Sequence, residues 1–262
     1  MDKKNIDWAN LGFGYMQTDK RYVSNFKGGA WDAGVLQYAQ TIFEGLKAYT
    51  TDGGHIVTFR PDLNAERMEQ SAKRLEMPVF DKGRFVEAVE QVVSANAAYV
   101  PPYGSGATLY IRPYMFGISP VIGVKPAEEY QFRVFCTPVG PYFKGGVKPL
   151  TIKISDFDRA APHGTGNIKA GLNYAMSLHA IVTAHEEGYD ENMYLDPGTR
   201  TKVEETGVAN FIFVTKDGKV VTPKYERIMP NLYGERHERD GTCHEEALRY
   251  ADRHPDGTHR SA

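Results

Sequence analysis

A run of prolines and glycines with two aromatics set into it, Pro138-Val139-Gly140-Pro141-Tyr142-Phe143-Lys144-Gly145-Gly146, divides the sequence near its middle. Proline removes a backbone donor and glycine adds backbone freedom, so no regular helix or interior strand passes through such a segment. It reads as a link between two folding units, and its aromatics imply that the link packs against something. A chain of 262 residues suits one or two domains at about 150 residues each. The division expected is a small α/β domain over 1–139, an interdomain loop over 140–146, a partial large domain over 147–230, and an atypical tail over 231–262.

The patterns on either side are mixed. Short strands are expected at Arg21-Tyr22-Val23 and at His55–Phe59, the latter after the turn Asp52-Gly53-Gly54. Asn64 reads as a helix N-cap, with Met68, Ala72 and Leu75 on one face and Pro78 ending the helix. A second helix is expected over 84–98, carrying Phe85, Val86, Val89, Val92 and Val93, with strands following at 107–112 and 131–136. Beyond the link come a strand over 151–154, a Gly-rich turn at His163–Gly166, a helix over 173–187 and a strand over 192–195. A hairpin over 211–222 turns at Asp217-Gly218. The class is therefore α/β in two domains.

Composition narrows the function. Thirty-one Lys and Arg against 33 Asp and Glu leave a net charge of -2, which argues against a general nucleic-acid binder. No stretch reaches the ~18 apolar residues of a membrane span. The first residues have charges but no apolar core, so no secretory signal is expected. Cys136 and Cys243 lie far apart, which suggests no disulfide framework and a reducing, cytoplasmic setting. The tail holds Cys243, His244 and further histidines at spacings that fit no standard zinc site.

Four segments can carry chemistry, each with a plainer alternative. Lys169, in His163-Gly164-Thr165-Gly166-Asn167-Ile168-Lys169-Ala170-Gly171, sits among small residues that let a flat ligand approach. In an apolar pocket its amine becomes a nucleophile able to form a Schiff base; otherwise it is a solvated loop lysine. The glycines match no phosphate-loop spacing. Glu204 and Glu205, ahead of the small-residue turn Thr206-Gly207, place a carboxylate against a heterocyclic nitrogen or form a solvated acidic turn. Strand alternation in Thr108-Leu109-Tyr110-Ile111-Arg112 puts Tyr110 and Arg112 on one face. There Arg112 forks a carboxylate or is an ordinary surface cation. Arg67, in the first turn of the expected helix, grips phosphate or pairs with a helix neighbour.

Taken in order, Phe43-Glu44-Gly45-Leu46-Lys47-Ala48, Phe59 to Met68, Leu109 to Pro113, Pro138 to Phe143, Lys169 to Tyr174 and Glu205 to Asn210 resemble the branched-chain amino-acid aminotransferases. These are pyridoxal 5'-phosphate enzymes of fold type IV, and the ordered set covers about residues 11 to 230. The resemblance implies that Lys169 holds the cofactor as a Schiff base and shuttles the substrate proton. It places Glu205 at the pyridine nitrogen, Tyr174 at the phenolic oxygen and Arg67 at the phosphate. Tyr38, Tyr110 and Arg112 match residues around the substrate carboxylate; Phe13, Phe43 and Tyr142 match the apolar wall for an aliphatic side chain. It further implies L-leucine, L-isoleucine or L-valine as amino donor, 2-oxoglutarate as acceptor, a homodimer, and no nucleic-acid or membrane partner.

The resemblance has two departures. Only six residues separate Trp31 from Tyr38, where the family has a longer stretch. From Asn231 the chain has no Val, Ile, Phe, Met, Trp or Lys, too few large apolar groups to offset its ordering entropy. Permitted codons for Tyr233–Cys243, read one base on, spell Thr-Glu-Asn-Ala-Met-Ser-Val-Met-Glu-Leu, a plausible amphipathic helix. The tail is thus expected to be a frameshift product, and the large domain incomplete. Three alternatives stay open: a fold relative acting on D-amino acids or cleaving aminodeoxychorismate, an inactive truncated product, and a cofactor-binding module without turnover.

Overall fold

The computed structural model describes residues 3–12, 16, 18–26, 38–119, 123–140, 149–161, 163–207 and 209–223. Its first half is a sheet of β1 (Tyr22–Phe26), β2 (Thr41–Phe43), β3 (Leu46–Thr50), β4 (Ile56–Thr58), β5 (Thr108–Gly117) and β6 (Tyr130–Val139). The strand order is β1-β6-β5-β3-β4, with β2 also on β5, and every pairing is antiparallel. Helices α1 (Pro61–Arg74) and α2 (Lys82–Ala95) cover one face. The second half holds β7 (Ile152–Ile154), α3 (Gly171–Glu186), β8 (Glu191–Leu195) and β9 (Val203–Thr206). β7 and β8 are parallel, joined through α3, and β9 returns antiparallel, a βαβ unit with an added edge strand. A short hairpin, β10 (Phe213–Val214) and β11 (Val220–Val221), follows.

The long strand β5 decides which side chains face which way. Leu109, Ile111 and Met115 are buried against the helices, joined by Phe85, Val89 and Phe132 in one apolar cluster. Tyr110, Arg112, Tyr114 and Phe116 alternate onto the other face. β2 and β3 lie along the same edge of β5 in one continuous register, with Phe43 opposite Tyr114 and Leu46 opposite Ile111. What divides them is Pro113. The Glu44 amide donates to the Pro113 carbonyl at 2.7 Å, but proline has no N–H to return the bond. Alternation carries on through the break, so Ile42, Glu44, Leu46 and Ala48 are all buried on the helix side.

Several boundaries differ from the sequence reading. Asn64 is not a cap. α1 begins at Pro61, where the fixed proline φ suits a first helical position, and its N-cap is Arg60 in the left-handed region at φ 46°. Arg60 reaches Asp62 through Nε at 2.8 Å and NH2 at 2.6 Å. α2 starts earlier and ends sooner than expected: Asp81 caps it by accepting from the Arg84 amide at 2.9 Å, and Ala97–Tyr99 form a 3-10 turn. α3 begins at Gly171, two residues before Asn173. A Cβ on Gly171 would stand 2.7 Å from Thr41 Cγ2, so glycine lets the helix start directly against β2. Glu204 and Glu205, expected ahead of a turn, lie in β9 itself; pairing with β8, a contact local pattern does not reveal, makes that stretch a strand. Phe13, Tyr142, the Trp31–Gln37 stretch, most of the link and the whole tail fall outside the described residues.

Candidate active site

Lys169 sits where the two halves meet. Its amide donates to Ser71 Oγ on α1 at 3.1 Å, its carbonyl accepts from the Phe43 amide at 3.1 Å, and Ala170 bridges to Ile42. These bonds fix the backbone and send the side chain inward, leaving the residue 9% exposed. Its Nζ lies 2.8 Å from Tyr174 Oη and 4.7 Å from the centre of the Phe43 ring. Burial, followed by the nearby Arg67 guanidinium, lowers the amine to about 8 from 10.5, with Arg112 adding to the effect. Burial likewise pushes the Tyr174 phenol up to about 12, so it stays a hydroxyl at neutral pH. Phe43 stands edge-on to Tyr174 with ring centres 4.8 Å apart.

Arg112 completes the wall. It lies over Phe43 at 4.6 Å and over Tyr110 at 5.1 Å, and its NH2 donates to Tyr110 Oη at 2.7 Å. Its Nε is buried with no acceptor among the described residues. A buried donor without a partner costs roughly 1–3 kcal/mol, a cost that a carboxylate arriving in this position removes. Gly45 makes room for the arrangement, since a Cβ there would fall on the Tyr110 hydroxyl. Gly45→Ala is expected to displace Tyr110, release Arg112 and raise KM for a carboxylate-bearing substrate roughly tenfold, by about one lost charged hydrogen bond. Steady-state kinetics on the variant checks this, and an unchanged KM overturns it.

Arg67 has a protein partner that the sequence reading did not name. Glu44, wholly buried, accepts from Arg67 Nε at 2.8 Å on Oε1 and from NH2 at 2.6 Å on Oε2. Asn64 Nδ2 donates to the same Oε2 at 2.8 Å, which is why Asn64 lies inside α1 and not at its cap. The guanidinium is therefore pinned in a fork, with two of its five donors committed to Glu44. Glu44 was missed from the sequence. The available signal was an acid in the core register of an alternating strand, between Ile42 and Leu46, because a buried charge demands a partner.

Glu205 lies in β9 opposite Tyr194 and is 5% exposed. It forms an ion pair with Arg159 Nε, and the two line one cleft with Tyr174, Asn173, Ser177 and Gly207. The sequence reading also missed Arg159. In Asp156-Phe157-Asp158-Arg159 it resembles any charged turn residue, and only the fold brings it against β9. The structure thus gathers Phe43, Arg67, Tyr110, Arg112, Lys169 and Tyr174, with Glu205 across the cleft. Tyr38 lies on the turn before β2 and is 45% exposed.

The protein-family model for amino-transferase class IV matches residues 41–252. The chain belongs to the class IV aminotransferases. The matched range runs 22 residues past Pro230, into the segment the sequence reading set apart. Among curated relatives, the branched-chain-amino-acid aminotransferase of Haemophilus influenzae is 49% identical over 249 residues, covering 87% of this chain and 73% of that protein. The enzyme of the same name from Helicobacter pylori is 46% identical, covering 87% and 72%. The crystal structure of the Escherichia coli branched-chain amino acid aminotransferase superposes with a TM-score of 0.70 at 25% identity, over 86% of this aminotransferase and 76% of that one. Lys169 and the groups around it all fall inside the family range.

Proposed function

We propose that this aminotransferase moves the amino group of L-leucine, L-isoleucine or L-valine to 2-oxoglutarate with pyridoxal 5'-phosphate as cofactor. The observation that carries the reading is Lys169: a buried amine lowered to about 8, between Phe43 and Tyr174, beside an arginine with an unsatisfied buried donor. The donor set suits the cofactor group by group, with an amine for its carbonyl, a phenol for its ring oxygen, a carboxylate for its ring nitrogen and a guanidinium for its phosphate. When bound, the cofactor supplies an electron sink for the bond to the substrate Cα. Lys169, whose amine is lowered to about 8, takes and returns the proton at that carbon. Tyr174 shares its hydroxyl between the lysine and the cofactor oxygen. Glu205 would keep the ring nitrogen protonated, and Arg67, pinned by Glu44, would stand at the phosphate. Arg112 takes the substrate carboxylate, while the Phe43 ring offers an apolar surface to a side chain made only of CH groups. Phe13 and Tyr142 belong to the same wall, and Tyr38 to the carboxylate side, on resemblance alone. A homodimer in the cytoplasm completes the reading; no described helix is long and apolar enough to cross a membrane.

The test is a half-reaction. Purified protein loaded with pyridoxal phosphate is mixed with L-leucine, L-valine, L-aspartate or D-alanine, and the cofactor's absorbance and the oxo acid are followed. Conversion with the two branched L-amino acids, and far less with the others, is expected. Conversion with D-alanine alone favours a D-amino-acid enzyme, and no visible cofactor band favours an inactive product. The relatives' common name favours the branched-chain reading over both.

The amine also sets a pH dependence. Only neutral lysine attacks a carbonyl. With a value of about 8, roughly a tenth is neutral at pH 7. The rate at which apoprotein captures pyridoxal phosphate is expected to rise roughly tenfold per pH unit below 8 and to level off above it. Stopped-flow mixing across pH 6–10 measures this; a rise continuing to pH 10 places the amine at its ordinary value and overturns it.

A further inference from the structure

Arg159 is 7% exposed and its guanidinium has two destinations. Nε pairs with Glu205 Oε1 on β9, and NH2 donates to the Gly166 carbonyl at 2.6 Å. Gly166 belongs to the turn that leads into Lys169, a turn held from the other side by Asn173, which donates to Thr165 O at 2.6 Å and Ile168 O at 3.0 Å. One planar cation therefore spans the strand bearing the carboxylate and the turn bearing the lysine. A buried carboxylate needs a compensating charge to stay ionised, and a carboxylate that is to hold a proton on a heterocyclic nitrogen must stay ionised and aimed. An arginine does both at once because its donors are fixed in one plane.

We infer that Arg159 is a positioning residue, which holds the Glu205 carboxylate toward the cofactor's ring nitrogen and ties it to the turn that presents Lys169. The inference rests on the reading above of Glu205 as the partner of that nitrogen. Arg159 acts through Glu205 and touches neither substrate nor the reacting atoms.

The test is a cycle of Arg159→Met, Glu205→Gln and the double variant, read first by equilibrium binding of pyridoxal phosphate and by the absorbance spectrum of the bound cofactor. Arg159→Met is expected to weaken binding roughly tenfold and to shift the spectrum toward that of an unprotonated ring. Glu205→Gln is expected to do the same, and the double variant to match Glu205→Gln within about threefold. With leucine, Arg159→Met lowers kcat and leaves KM within about twofold. Effects that multiply in the double variant, or an unshifted spectrum in Arg159→Met, overturn the inference. The apoprotein supplies a readout that needs no cofactor. Arg159→Met melts lower than wild type because it strands a buried carboxylate, and adding Glu205→Gln raises the melting temperature again; no recovery overturns the pairing. Should Arg159→Met not fold, Arg159→Lys serves. It keeps the charge but lacks the fork, so its spectrum stays that of wild type while cofactor binding weakens, and tight wild-type binding overturns the brace. Failure of wild-type protein to capture pyridoxal phosphate overturns the functional reading itself, an outcome distinct from variants that bind as wild type does.

Discussion

Lys169→Ala is expected to lower turnover with L-leucine by at least roughly 10⁴-fold, because it removes the group proposed both to anchor the cofactor covalently and to move the substrate proton. The variant should still bind pyridoxal phosphate through the remaining polar groups, without the absorbance of the lysine adduct. Single-turnover oxo-acid formation and the spectrum check both parts; turnover within about tenfold of wild type puts the chemistry elsewhere. The same substitution has an opposite expected effect on folding. The amine's folded value of about 8 lies below its ordinary 10.5, so the fold disfavours its charged form. Below pH 8 the native state bears that cost in full, of the order of 3 kcal/mol. As pH rises from about 8 toward 10.5 the unfolded chain still binds the proton that the folded one has lost, and the cost disappears. Wild-type apoprotein should therefore gain stability across that window, while Lys169→Ala, already relieved, should not. Melting curves of the two apoproteins at pH 7 and pH 10 measure the difference.

Glu44→Leu is expected to be the most destabilising single change at the site. It leaves the Arg67 guanidinium buried beside Lys169 and Arg112 with no carboxylate, a loss of about 3–5 kcal/mol for a broken buried pair, or a melting temperature lower by roughly 10 °C. Arg67→Met alone should cost a similar amount by stranding Glu44. The double variant Glu44→Leu with Arg67→Met should recover most of the loss, because two apolar groups of similar size replace a pair whose attraction was largely offset by desolvation. It should also fail to retain pyridoxal phosphate, since the guanidinium has gone. A Glu44→Leu apoprotein that melts within about 2 °C of wild type would show the pair contributes nothing. Thermal denaturation without cofactor separates this structural effect from any role in binding.

The pair also shows where sequence reading stops. Arg67 was legible as a cation on a helix facing the site, and Lys169 as a lysine among small residues, because spacing and neighbours state those facts locally. The alternation of β5 put Tyr110 and Arg112 on one face, as found, since a strand's period is a property of the backbone. The hairpin at Asp217-Gly218 was equally local, with Gly218 in the left-handed region at φ 80°. Helix starts were less legible. Asn64 has the chemistry of a cap, yet its amide is taken up by Glu44, a residue twenty positions earlier.

Residue types, their order and their local periods thus determined the family and the mixed α/β class, and they singled out the lysine and most of the groups proposed for the site. The fold alone decided which charges meet. Arg67 is forked by Glu44 because β2 pairs with β5 in a register that turns position 44 toward α1. Glu205 meets Arg159 because β9 closes beside β8. Both encounters join residues more than twenty positions apart, and they are strong only because burial has removed the water that otherwise screens each charge. A linear pattern records neither the approach nor the burial.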